Sequence, residues 1–234
     1  MEPKHRVKIK ESIANLPIPE ALAYLCQTFP EKVAFSTSFG QEDQVISHYI
    51  FSRQLPVRVF TLDTGRLFEE TYNVFSRTLA RYQSKIEVYY PENRAVEALL
   101  QEQGPMGMYD SVERRKTCCR IRKIEPLKRA LANTEVWITG LRAGQSENRQ
   151  QLALFDFDES FGVLKYNPLL DWTLDDVQAF LQENNIPQNQ LHEQGFVSIG
   201  CAPCTRAIQP GEDIRAGRWW WEQSHKECGL HGQK

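Results

Sequence analysis

The residues best equipped for chemistry are the cysteines, of which the chain has six. Cys118 and Cys119 are adjacent, Cys201 and Cys204 form a Cys-x-x-Cys pair around Pro203, Cys26 stands alone near the start, and Cys228 lies close to the end. Cys118, Cys119, Cys201 and Cys204 supply four thiolates, the number that a four-iron cluster or a structural zinc ion requires. Zinc sites usually space paired ligands by about two to four residues, because neighbouring side chains diverge and rarely meet on one small tetrahedral ion. A cuboid cluster has corners farther apart, so adjacent cysteines favour iron and sulfide over zinc. Arg115, Lys116, Arg120, Arg122 and Lys123 surround the first pair and suit a centre whose thiolates bring negative charge. The plainer alternative is a set of buried structural thiols, since free cysteine packs as a small hydrophobe.

Cys228 sits in Glu227-Cys228-Gly229-Leu230-His231. A thiol near a terminus has freedom that a core thiol lacks. His231 and Lys226 favour its thiolate and Gly229 permits close approach, which makes Cys228 a candidate nucleophile; the plainer alternative is a tail cysteine without consequence. Cys26, in the apolar run after Ala21, fits a buried structural thiol.

A second kind of chemistry is anion binding. Ser36-Thr37-Ser38-Phe39-Gly40, followed by Gln41-Glu42-Asp43, joins an apolar run to a helical pattern and combines hydroxyls, a glycine and the free N–H groups of a helix start. It lacks the lysine-bearing pattern of a P-loop, and such turns are also common without ligands. Asp63-Thr64-Gly65 and Thr139-Gly140-Leu141-Arg142 follow strand candidates too, and in open α/β sheets binding sites gather at such carboxyl ends. Arg215 and Arg218 either hold a multiply charged oxyanion or cap an apolar patch beside Trp219, Trp220 and Trp221, which default to packing roles. Arg142, Gln145 and Arg149 form a basic polar loop, and His192 and His225 receive no role.

The elements that must position these residues alternate. Strands are expected over 33–37, 57–62, 86–90 and 136–139, and helices after Gly40 and over about 68–80, 95–103 and 122–132. Thr173 ahead of Leu174-Asp175-Asp176 predicts a capped helix to about residue 183. The alternation predicts an α/β, doubly wound, mostly parallel sheet with helices on both faces. Residues 195–217 are rich in Gly, Pro and Cys and show little helical period.

At 234 residues the chain suits a single domain, with a core over about 30–210 and a functional tail over about 211–234. Hydrophobic residues make up 41%, charged residues 25%, and the net charge is −2, so no global charge draws it to nucleic acid or anionic membrane. The first residues show no secretion signal and no membrane span, which sets the cytoplasm as the expected compartment and disfavours a disulfide scaffold.

Taken in order, Ser-Thr-Ser-Phe-Gly, Leu62-Asp63-Thr64-Gly65, Cys118-Cys119-x-x-Arg122-Lys123, Thr139-Gly140-Leu141-Arg142, Gly200-Cys201-Ala202-Pro203-Cys204-Thr205-Arg206 and Glu-Cys-Gly-Leu-His resemble the assimilatory adenylyl-sulfate reductases of the PAPS/APS reductase family. The resemblance spans roughly residues 33–231. It implies an adenine nucleotide α-hydrolase-like fold, with Ser36, Thr37, Ser38, Phe39, Gly40, Leu62, Gly140 and Arg142 at the nucleotide. It also implies a [4Fe-4S] cluster on Cys118, Cys119, Cys201 and Cys204, Lys123, Arg215 and Arg218 around the phosphosulfate, and Cys228 as nucleophile with His231 beside it. Adenosine 5′-phosphosulfate, thioredoxin or glutaredoxin, and further copies of the chain are the implied partners. Use of the 3′-phosphorylated nucleotide, or of both, is the nearest alternative; a zinc-stabilised interaction module without catalysis is the distant one.

Overall fold

Short runs of apolar residues that a parallel sheet buries on both faces account for β1 (Val33–Ser36), β2 (Arg58–Leu62) and β4 (Val136–Ile138), close to the expected positions, as is β3 (Glu87–Tyr89). The computed structural model describes residues 3–145, 149 and 151–222. Two further strands, β5 (Phe155–Asp158) and β6 (Val163–Tyr166), complete a six-stranded sheet in the order β3-β2-β1-β4-β6-β5. β2, β1, β4 and β6 run parallel, and β5 returns antiparallel to β6. The order reverses between β1 and β4, the switch point at which open α/β sheets bind ligands.

The helices are α1 (Pro3–Ile13), α2 (Ile18–Thr28), α3 (Gln41–Ser52), α4 (Glu69–Tyr82), α5 (Asn93–Gln103), α6 (Val112–Cys119), α7 (Glu125–Ala130) and α8 (Leu174–Glu183). The chain forms two compact units: Met1–Thr61, Asn73–Glu87 and Asn133–Asn189 in the first, Leu62–Tyr72, Val88–Ala132 and Gln190–Lys234 in the second. The first unit's core gathers Phe35, Ile46, Val136, Ile138, Leu164 and Leu181, each worth about 1.5–3 kcal/mol of burial. Within it α3 packs against α2 and α8. Gln44 Nε2 donates to Thr78 Oγ1 at 3.0 Å and to Pro187 O at 2.9 Å. Thr173 caps α8 through a reciprocal box with Asp176, as its sequence predicts.

The second unit departs from expectation. The helix expected from Arg122 starts earlier, at Val112, capped by the Ser111 hydroxyl accepting from Arg114 N. It runs through α6, a π-helical turn over Arg120–Ile124, and α7. Such turns are rare and recur at functional sites. Here it follows directly on Cys118 and Cys119. Among the described residues no helix is long and apolar enough to cross a membrane.

Candidate functional site

In the first unit, β1 ends at Ser36 and α3 starts at Gln41, leaving Thr37 to Gly40 as the connecting turn. Thr37 N donates to Phe60 O at 2.8 Å, and Phe39 N to Thr37 Oγ1 at 3.1 Å. Phe39 takes a left-handed φ of 60°, and its buried ring stacks on Phe75 at 4.7 Å. That contact holds a conformation a bulky residue otherwise avoids. Ser38 is exposed, and its N–H (2.6 Å) and hydroxyl (2.7 Å) both donate to Asp43 Oδ2 in the first turn of α3. The Asp43 carboxyl is pushed up to about 6: burial raises it, the Ser38 hydrogen bonds lower it, Glu42 raises it and Arg149 lowers it.

The turn after β4 meets the same helix end. A Cβ on Gly140 would overlap Asp43 Oδ1 and lie 3.2 Å from Glu42 Cβ, so a glycine leaves room here for the side chains that open α3. Buried Arg142 donates from Nε to Glu42 Oε1 at 2.8 Å and from Nη1 to Trp172 O at 3.2 Å. Gln145 Oε1 accepts from Arg142 N at 3.1 Å and from Arg149. The turns after β1 and β4 therefore come together at the switch point, with Thr37, Ser38, Phe39, Gly40, Gly140 and Arg142 on them and Ser36 at the end of β1. Leu62, half-buried, closes β2.

In the second unit all four paired cysteines line one small cavity with Arg66, Met108, Arg115, Arg122, Lys123 and Trp219. Cys118 and Cys119 arrive on the last turn of α6. Cys201 and Cys204 flank a 3-10 turn over Ala202–Cys204, pinned by Ala202 N donating to Arg66 O at 2.8 Å and Trp219 N to Cys204 O at 3.2 Å. Burial pushes the Cys201 thiol up, but Lys123, the Thr64 hydroxyl 3.3 Å away, Arg218 and Arg122 outweigh it and leave it below its ordinary range. Cys204 is pushed up to about 12 by burial and by the charges of Cys201 and Cys119, against Lys123 and Arg218.

Trp219 is fully buried and carries guanidinium groups on its ring, with Arg115 at 4.7 Å, Arg218 at 4.8 Å and Arg215 at 6.0 Å from the centroid. Arg218 lies flat against Gly200, where a Cβ would stand 2.6 Å from its Cζ, and donates to Ser198 Oγ at 3.2 Å. Arg122 Nη1 donates to Thr64 O at 2.6 Å. Among the described residues, the buried Nε atoms of Arg122 and Arg218 lack a hydrogen-bond partner.

These features fit an anionic iron–sulfur centre. The donors are four thiols free of disulfides, soft ligands that select zinc, copper(I) or iron–sulfur clusters, set in a cationic wall. Among the described residues, no three His, Cys, Asp or Glu side chains stand close enough to grip one metal ion. Cys228 and His231 lie outside the described residues.

Sequence reasoning brings out the cysteines, Lys123 and the basic residues near them; of these Arg115, Arg122 and Lys123 reach the cavity, while Arg120 pairs with Glu125 on the surface. It misses Thr64 as a partner of Cys201, Glu222 as a partner of Arg115, and Asp43 as the acceptor for Ser38. Asp43 alone had a local signal, an acid in the first turn of a helix. Trp219 is the packing residue expected, whereas Trp220 is exposed. Cys26 is the expected buried thiol, its pKa pushed up to about 11 by burial.

The profile of the phosphoadenosine phosphosulfate reductase domain matches residues 32–207. Adenosine 5′-phosphosulfate reductase of Allochromatium vinosum is 49% identical over 213 residues, 91% of this chain and 83% of that protein. The crystal structure of phosphoadenylyl-sulfate reductase from Candida auris, a phosphate complex, superposes with a TM-score of 0.74 at 27% identity over 86% of this chain and 96% of that one. FMN adenylyltransferase of Candida glabrata, at 17% identity, TM-score 0.53, and coverage of 96% and 75%, shares the fold alone.

Proposed function

The chain belongs to the phosphoadenosine phosphosulfate reductase family, and on that premise we propose that it reduces adenosine 5′-phosphosulfate to sulfite and AMP in the cytoplasm, through Cys228 and with thioredoxin as reductant. The observation that carries this is the convergence of Cys118, Cys119, Cys201 and Cys204 on one cavity walled by Arg115, Arg122 and Lys123. A resident [4Fe-4S] cluster on those four thiolates would polarise its surroundings without passing electrons, because thiol exchange accounts for both.

The substrate joins sulfate to AMP in a mixed anhydride. The Cys228 thiolate attacks sulfur, the bond to the bridging oxygen breaks, and AMP leaves with that oxygen and its electron pair. Attack brings anion to anion, so cations are needed. Lys123, Arg215 and Arg218 neutralise the phosphosulfate and the charge developing on the leaving phosphate, with about 3–4 kcal/mol for each such donor. The Ser36 to Gly40 turn, Leu62, Gly140 and Arg142 hold the nucleotide. His231 supports the thiolate. A thioredoxin thiolate then attacks Cys228 sulfur and expels sulfite, and thioredoxin's second thiol resolves the mixed disulfide, restoring Cys228. On this account residues 1–234 act as one catalytic domain whose last residues, about 211–234, are the tail bearing the nucleophile.

The test is Cys228→Ser. The variant binds the nucleotide, yet intact-protein mass spectrometry finds no S-sulfonate. An adduct on the variant would show that another residue accepts the sulfonyl group.

A further inference from the structure

Arg115 and Glu222 form a buried, two-pronged ion pair. Arg115 Nε donates to Glu222 Oε1 at 2.8 Å and Nη2 to Oε2 at 2.7 Å, with the side chains 4% and 2% exposed. Burial of such a pair is a poor source of stability, because the lost hydration of both charges roughly cancels their attraction and apolar residues of similar shape would serve as well. What a forked pair supplies is a fixed relative position. Its two ends are informative. Arg115 sits on α6 one turn before Cys118 and Cys119 and lies over Trp219. Glu222 N donates to Trp219 O at 2.9 Å, and Trp219 N to Cys204 O at 3.2 Å. The pair thus ties α6 and, through Trp219, the Cys201–Cys204 segment to Glu222, which precedes Cys228 in the chain. Cys228 follows Glu222 by six residues, a span of at most about 21 Å when fully extended.

We propose that Arg115 and Glu222 are a positioning pair that pins the base of the Cys228 segment to the four-cysteine centre, resting on the nucleophile proposed above. Neither residue is among the groups assigned above to the substrate or to the nucleophile. They set where the thiol starts from, and small errors in such placement are costly in rate.

The test uses the holoprotein with Glu222→Gln, which keeps the shape and removes the charge. Single-turnover sulfonation of Cys228 slows on the order of tenfold. Nucleotide affinity stays within about twofold, since binding groups lie elsewhere. Trypsin cleavage after Lys226 and alkylation of Cys228 by iodoacetamide in the absence of nucleotide both accelerate, by about fivefold. Arg115→Lys reproduces these changes, and the double variant is no worse than either single one, because the two residues act as a unit. Glu222→Asp, retaining the charge, falls between wild type and Glu222→Gln and serves if the latter does not fold. Unchanged cleavage and alkylation in a folded variant overturn the proposal. A wild-type protein that never forms an S-sulfonate overturns the nucleophile instead, while cleavage and alkylation still judge the anchor.

Discussion

The hydroxyl of Thr64 lies 3.3 Å from Sγ of Cys201, so the turn that follows β2 presents a hydrogen bond to the first cysteine of the Cys-x-x-Cys pair. This hydroxyl is one of the groups holding the Cys201 thiol below its ordinary range against the effect of burial. Partners that hydrogen-bond to metal ligands typically matter about 10–100-fold for metal affinity. With the proposed cluster on the four thiolates, Thr64→Val, which removes the hydroxyl and keeps the volume, is therefore expected to lose iron to a chelator about tenfold faster, whereas Thr64→Ser is not. Following the visible absorbance of the purified protein under chelator measures this, and equal rates for all three proteins would contradict it.

Gly140 is expected to be intolerant of a methyl group. Its added Cβ would overlap Asp43 Oδ1, and Asp43 cannot swing aside without releasing both hydrogen bonds to Ser38. Gly140→Ala should destabilise by about 1–3 kcal/mol in urea unfolding, as overpacking does. Adding Asp43→Ala removes the obstructing atom, so the double variant should be more stable than the sum of the singles predicts. Strict additivity would show that the two residues do not meet.

Asp43 also gives a pH signature. Its carboxyl is pushed up to about 6 in the folded protein, from an ordinary value of 3.8, chiefly by burial. The folded state therefore binds more protons than the unfolded state between about pH 4 and 6, and wild-type stability falls as pH rises through that window. Asp43→Asn cannot titrate. Urea midpoints measured on both proteins should show wild type losing ground to Asp43→Asn from pH 4.5 to pH 7 and a constant difference above it; a difference that grows in the opposite sense would refute the proton-binding carboxyl.

The central strands, the turns at their carboxyl ends and the Thr173 cap were legible because each depends on residues adjacent in sequence. Other elements were hidden for physical reasons. α6 carries Glu113, Arg114, Arg115 and Lys116 in succession and so shows little apolar period; packing and the Ser111 cap make it a helix. The β5–β6 hairpin mixes Asp156, Asp158 and Lys165 into its strands, and Lys165 is buried with its Nζ 5.0 Å from the Trp137 ring. At the site, the four thiols were legible by count and spacing. Thr64 and Glu222 were not, because each meets its partner from more than a hundred positions away, 137 for Thr64 and Cys201 and 107 for Arg115 and Glu222.

The most direct measurement is anaerobic purification with iron, sulfide and zinc analysis, followed by mixing with each sulfonucleotide in the absence of thioredoxin and weighing the intact protein. The account predicts about four irons and four sulfides per chain, and a single SO₃ adduct on Cys228 from adenosine 5′-phosphosulfate. Zinc in place of iron, with no adduct from either nucleotide, would contradict it.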